Sequence, residues 1–173
     1  MQLFEIEKMR LVKLKRTMPE LLAIQNKSKI KPRVRFYEGV GGMLEVYSDI
    51  LKEKKKMVAF EDFEHMQPAL PKSFCEWYPA ERARSNILFR SITRDSEEAR
   101  RLTQHNRRLL RESKLLRSAD WRTKTIIYGN KVAIRSLRSK KPFCVLIEDH
   151  DIAQTLRNVW QELWNHLEVD VIG

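Results

Sequence analysis

Reactive groups are few and scattered along the 173 residues. Four histidines (His65, His105, His150, His166) and two cysteines (Cys75, Cys144) carry most of the nucleophilic and metal-ligating capacity. There is no GxSxG elbow, no P-loop, no GxGxxG turn and no HExxH pair. The chain therefore lacks the local signatures of serine hydrolysis, phosphate cradling, dinucleotide binding and zinc proteolysis. His65 sits near Glu61, Asp62 and Glu64, the one dense ligand-type cluster, which reads more simply as an acidic turn after a strand. His150, between Asp149 and Asp151, reads as decoration of a helix start. The two cysteines read as small apolar core fillers. They are too few for a disulfide framework or a cysteine-based zinc site. No catalytic residue, no metal and no cofactor is expected.

Groups suited to binding are better placed. In open α/β sheets, ligands settle outside the carboxyl ends of parallel strands. Here those ends fall at 37–42, 60–62 and 93–95. Glu38 follows the first, and Gly39, Gly41 and Gly42 either let backbone amides approach an anion or hydroxyl, or simply make the turn. Asp62 follows the second strand. Arg94 ends the third, as a fork for phosphate or carboxylate or as the partner of Glu97 or Glu98. These six form the candidate ligand site.

The elements that must position them follow from periodicity. Phe4, Leu11, Leu14, Met18 and Leu21 make a helical stripe, with a cap-like break at Thr17–Met18–Pro19–Glu20 and a polar linker over 26–32. Short apolar runs predict strands at 34–37, 57–60 and 87–93. Helical stretches fall between them: one carries Met43, Leu44, Val46, Tyr47, Ile50 and Leu51, and another spans 68–84, interrupted at Pro71 and Pro79. Asp95 is expected to cap a basic helix running to about 106. Strand, helix, strand, helix, strand predicts parallel crossover units. Beyond it come strands at 112–116, 123–128, 131–137 and 143–148, with a tight turn at Gly129–Asn130. A long amphipathic helix over 149–167 follows, its N-terminus favoured by Asp149 and Asp151 through capping and the dipole. The expected architecture is α/β with a mixed sheet, crossover helices and an N-terminal helical arm.

Composition sets the setting. Apolar residues at 42% and charged ones at 33% describe a globular chain. No apolar run approaches the ~18–20 residues of a membrane span, and the N-terminus has no signal-peptide pattern. The expectation is a cytoplasmic protein with no membrane partner. The net charge of +11 is uneven: +5 over 1–31, −2 over 32–81, +13 over 82–141 and −5 over 142–173. A segment that basic attracts anions. It gives an alternative reading as a nucleic-acid-binding protein using Arg107, Arg108, Arg111, Arg117, Arg122 and the one aromatic among them, Trp121. Trp160 and Trp164, four apart, read as a core or dimer face.

Lys31–Gly39 (KPRVRFYEG) resembles the KPxVRFYEG opening of the effector domain of TrmB-type transcriptional regulators. ITRDSEEAR at 92–100, IIYGNKVAI at 126–134 and PFCVLIEDHDIAQTLRNVWQELW at 142–164 agree with it, so the resemblance spans about Met18 to Leu167. It implies a phospholipase-D-like fold over 32–168, without phospholipase chemistry. It also implies linker and dimerisation helices over 1–26, a homodimer through that helix, and a sugar or phosphorylated metabolite as effector. DNA is then contacted only through a winged helix outside this chain. The HxKxxxxD spacing of the phospholipase-D catalytic group, placed on the hairpin, falls on Thr123, Thr125 and Asn130. None of the four histidines has a lysine two residues on. The implied role is a non-catalytic, ligand-sensing regulatory domain.

Overall fold

The computed structural model describes residues 31–63, 70–104, 106–136 and 142–167. The chain divides into two units, Met1–Pro32 and Arg33–Gly173, and the elements below belong to the second. The N-terminal arm, the cap at Thr17, most of the 26–32 linker, His65 and His105 lie outside the described residues.

Seven strands form one sheet: β1 (Arg33–Glu38), β2 (Met57–Glu61), β3 (Phe89–Arg94), β4 (Arg111–Leu116), β5 (Lys124–Tyr128), β6 (Lys131–Ser136) and β7 (Phe143–Glu148). Their order is β1-β7-β6-β5-β2-β3-β4. Only β2, β3 and β4 are parallel neighbours. This corrects the expectation that β1 opens a crossover unit beside β2. β1 instead pairs antiparallel with β7, Tyr37 opposite Cys144, at the far edge of the sheet.

Among the described residues four helices connect and cover the strands: α1 (Gly39–Glu53), α2 (Lys72–Arg84), α3 (Glu97–Thr103) and α4 (His150–His166). α2 runs unbroken through Pro79, so the expected interruption there does not occur. α3 is capped by Ser96, whose hydroxyl accepts from the Ala99 amide at 3.2 Å. Asp95, expected in that role, instead grips Arg100 through two 2.7 Å bonds, and that grip lowers its pKa. Asp149 does cap α4, accepting from Ile152 at 2.9 Å. Gly129, at φ +49°, turns the two-residue β5–β6 hairpin with Tyr128 opposite Lys131.

Alternation along the strands sends side chains to two cores. Met57, Ile126, Tyr128, Ala133, Cys144 and Leu146 meet Met43, Val46, Tyr47 and Ile50 of α1 and Tyr78 of α2. Ile92, Ile127 and Val132 meet Ala153 and Trp160 of α4 on the other face. The Trp160 indole donates to Ala59 O at 3.0 Å and its ring stacks on Trp164, 4.8 Å between centroids. Lys114 of β4 reaches the end of α4 and donates to the carbonyls of Trp164 (2.7 Å) and Leu167 (2.9 Å), groups no helix satisfies internally. Cys144 is buried, as expected, and burial raises its thiol pKa to about 11. Cys75 is exposed and so is not a core filler. No described helix is long and apolar enough to cross a membrane.

Candidate ligand-binding site

On the α1–α2 face, the inward phase of four strands carries charge where a core residue is usual. Met57 and Ala59 are followed by Glu61 on β2, and Tyr128 and Ile126 are preceded by Lys124 on β5. Ala133 is followed by Arg135 on β6, opposite Lys124 in the hairpin register. Arg111 opens β4 beside Phe89. Glu61 and Arg135 are completely buried, and the side chains of Lys124 and Arg111 nearly so. Glu61 accepts from both Lys124 and Arg111, and Arg111 also meets the hydroxyl of Ser91 at 3.0 Å. Arg135 lies against Tyr47, its guanidinium carbon 4.5 Å from the ring centroid.

Electrostatics bind this group into one unit. Burial alone would raise the pKa of Glu61, but Lys124, Arg111 and Arg135 around it lower it to about 2. Lys124 is lowered to about 8, by burial first and then by Arg135 and Arg111, with Glu61 opposing. Arg82, buried in α2, is lowered to about 10 by burial. It donates to the carbonyls of Ile87, Leu109 and Leu110, pinning α2 to the turn before β4.

A cavity of about 340 Å³ opens over this charged floor. Arg111, Lys124 and Arg82 line it, and its walls are apolar and aromatic, among them Phe63, Leu70, Phe74, Tyr78, Phe89 and Ile126. Its size fits the usual range for small-molecule sites. No group of His, Cys, Asp or Glu able to hold a metal occurs among the described residues.

The six candidate residues from the sequence do not converge. Asp62 and Arg94 meet, 3.8 Å apart, at the ends of β2 and β3. Glu38 and the glycines lie at the end of β1, four strand spacings or roughly 19 Å from β2. The Gly39 amide is committed to Pro142 O at 2.7 Å. Gly42 serves packing, since a Cβ there would come within 2.9 Å of the Tyr37 Cβ, while Gly41 is open. The antiparallel seat of β1 is what separates the two halves.

The basic segment also divides. Arg107, Arg108, Arg117 and Arg122 are exposed, with Arg117 3.7 Å from Asp95 and Arg122 3.5 Å from Asp120. Arg111 turns into the charged floor, and Trp121 packs edge-on to Phe60 at 5.2 Å, so neither offers a free contact surface. Arg82, Lys114, Lys124, Lys131 and Arg135 likewise point inward, so the +13 overstates the charge facing solvent.

Sequence reasoning missed Glu61, Lys124, Arg135 and Arg82. The available signal was strand phase: in Lys124-Thr-Ile-Ile-Tyr128, the lysine shares a face with Ile126 and Tyr128. Set one residue earlier, the HxKxxxxD pattern falls on Arg122, Lys124 and Gly129. The lysine is then retained, without the histidine or the aspartate.

No protein-family model matches the chain, and no curated protein does. Solved structures do. Nuc from Salmonella typhimurium, a phospholipase D family member, aligns at TM-score 0.58 and 13% identity, over 80% of this chain and 97% of its own. TrmBL2, described as an archaeal chromatin protein with a novel mode of DNA binding, aligns at 0.53 and 15% identity over 96% of this chain. This chain spans only 66% of TrmBL2. Polyphosphate kinase from Porphyromonas gingivalis aligns at 0.54 and 10% identity, over 82% of this chain and 27% of that one. At such identities the likeness establishes the fold. The chain has a phospholipase-D-like α/β fold.

Proposed function

We propose that this chain is the non-catalytic, small-molecule-sensing domain of a TrmB-type transcriptional regulator, responding to a sugar or an anionic metabolite. The observation that carries this reading is the enclosed cavity above Glu61, Lys124 and Arg111. Lys124 lines it and is tied there to the buried carboxylate of Glu61. The KPRVRFYEG segment and the likeness to TrmBL2 support the regulatory context. In this reading the helices over 1–26 pair two copies, and DNA is read by a winged helix supplied outside this sequence.

Thermal unfolding in the presence of sugars, sugar phosphates and organic acids tests it. A ligand at about 100 times its Kd stabilises the native state by about 2.7 kcal/mol. The expected result is a rise in Tm with one chemical class and no turnover of a phosphodiester such as bis(p-nitrophenyl) phosphate. Measurable turnover, or no shift from any class, overturns the reading.

The exposed Arg107, Arg108, Arg117 and Arg122 favour a second reading, a direct nucleic-acid contact. Retention on DNA should then fall steeply between ~50 and ~200 mM salt. Equal, weak retention at both ends that reading.

A further inference from the structure

Resting on the sensing role, we propose that the cavity takes an amphiphilic anion rather than a bare sugar. Its ligand has an apolar ring or chain of about ten atoms carrying one carboxylate or phosphate, with the charged end at the floor formed by Lys124, Arg111 and the Tyr78 hydroxyl.

Charge bookkeeping comes first. Lys124, Arg111 and Arg135 all act on Glu61, and among the described residues no second carboxylate does. The described residues therefore hold more positive than negative charge in this buried place, which is costly without an added anion. Arg82 does not share in this deficit, because three backbone carbonyls occupy its donors.

An unsatisfied polar group lies at the cavity itself. The Nε, Nη1 and Nη2 atoms of Arg135 are buried with no hydrogen-bond partner among the described residues, and so are the hydroxyls of Tyr78 and Thr93. Buried polar atoms in folded proteins are almost always paired, so the orphaned Tyr78 hydroxyl at the cavity calls for a ligand group or water. Tyr78 lines the cavity. Arg135 lies beyond the Tyr47 ring, where it adds to the field without touching the occupant.

The walls exclude a bare sugar. Phe63, Leu70, Phe74, Phe89, Leu109 and Ile126 offer no donor or acceptor side chain, and each sugar hydroxyl set against them would lose its water without replacement. A volume of 340 Å³ equals about eleven waters at their liquid share of about 30 Å³. A small inorganic ion satisfies the charge and leaves those walls without contact.

Four probes of nearly equal size separate the possibilities: 3-phenylpropionate, its neutral twin 3-phenylpropionamide, phenyl phosphate and glucose. At ~10 mM each, Tm of the full chain is expected to rise with one or both anions and to stay within error for the amide and glucose. The larger of the two anion shifts names the head group.

Two variants test the residues. Arg135→Met is expected to halve the anion shift or more, since the floor loses one of the cations that set its field. Tyr78→Phe keeps the ring and should weaken anion binding about fivefold; it carries the test if Arg135→Met does not fold. Equal shifts from the acid and its amide overturn the proposal, as does a Tyr78→Phe protein that binds the anion normally. A shift from glucose alone overturns the proposal and leaves sensing standing, whereas no shift from any compound removes both.

Discussion

On one side of the sheet Ile92, Ile127, Val132 and Ala153 close around Trp160, whose only polar side-chain atom finds Ala59 O at 3.0 Å. On the other side, the same central strands bury Glu61, Lys124, Arg135 and Thr93, and Lys124 lines a cavity. The strands are shared, so the difference lies in which phase of each carries charge. The α4 face has its polar groups paired and its rings stacked, which is what holds a sheet together. The α1–α2 face buries ions that apolar residues of similar volume would replace at little or no loss of stability. On the proposed reading, that is the arrangement of a face organised for recognition. It also explains why a chain of net charge +11 does not display all of its basic segment to solvent.

The largest expected effect breaks the dry face. Trp160→Ala should cost about 3–5 kcal/mol, read as a lower urea midpoint, and the folded fraction should keep its response to anions. If the response disappears with the indole, the two faces are not independent.

Next comes the charged face. Folded Glu61 titrates at about 2, against 4.5 for an ordinary glutamate. Its contribution is therefore full above pH 4.5 and is lost as pH falls towards 2. It amounts to about 3 kcal/mol, and Glu61→Gln should remove both that stability and that part of the acid slope. A Glu61→Gln protein as stable as the parent at pH 7 would show that the cations do not need their carboxylate.

Smaller effects sharpen the contrast at the margins. Gly42→Ala should cost about 1–3 kcal/mol, because the new methyl meets Tyr37 beneath α1, whereas Gly41→Ala, which meets nothing, should not destabilise. Asp149→Ala should cost about 1 kcal/mol by removing the cap of α4, measured by chemical denaturation at neutral pH.

Much of the sheet was legible in the sequence because strands leave a local trace. Lys131–Ser136 and Phe143–Glu148 stand out as apolar runs, and Gly129–Asn130 as the turn of a hairpin, from residue types alone. The neighbours of β1 were not legible, since nothing in Val34-Arg-Phe-Tyr37 says that its partner lies more than a hundred residues later. That omission displaced the candidate site, placing Glu38 and its glycines beside Asp62 when three strands stand between them. Ser96 displaced Asp95 as a cap because two acceptors stood side by side and the neighbouring Arg100 claimed one. Lys124 and Arg135 escaped notice, and Glu61 read as part of an acidic turn, because charge reads as surface until strand phase places it inside.

The seat of β1 bears on how the chain assembles. The first strand of the sheet has a single neighbour, and that neighbour is the last strand. During synthesis β1 leaves the ribosome long before β7 exists, so its backbone donors and acceptors wait in water while β2 to β6 find one another. Closing the β1–β7 ladder joins the most distant segments of the domain, and contacts of such long sequence separation slow the search.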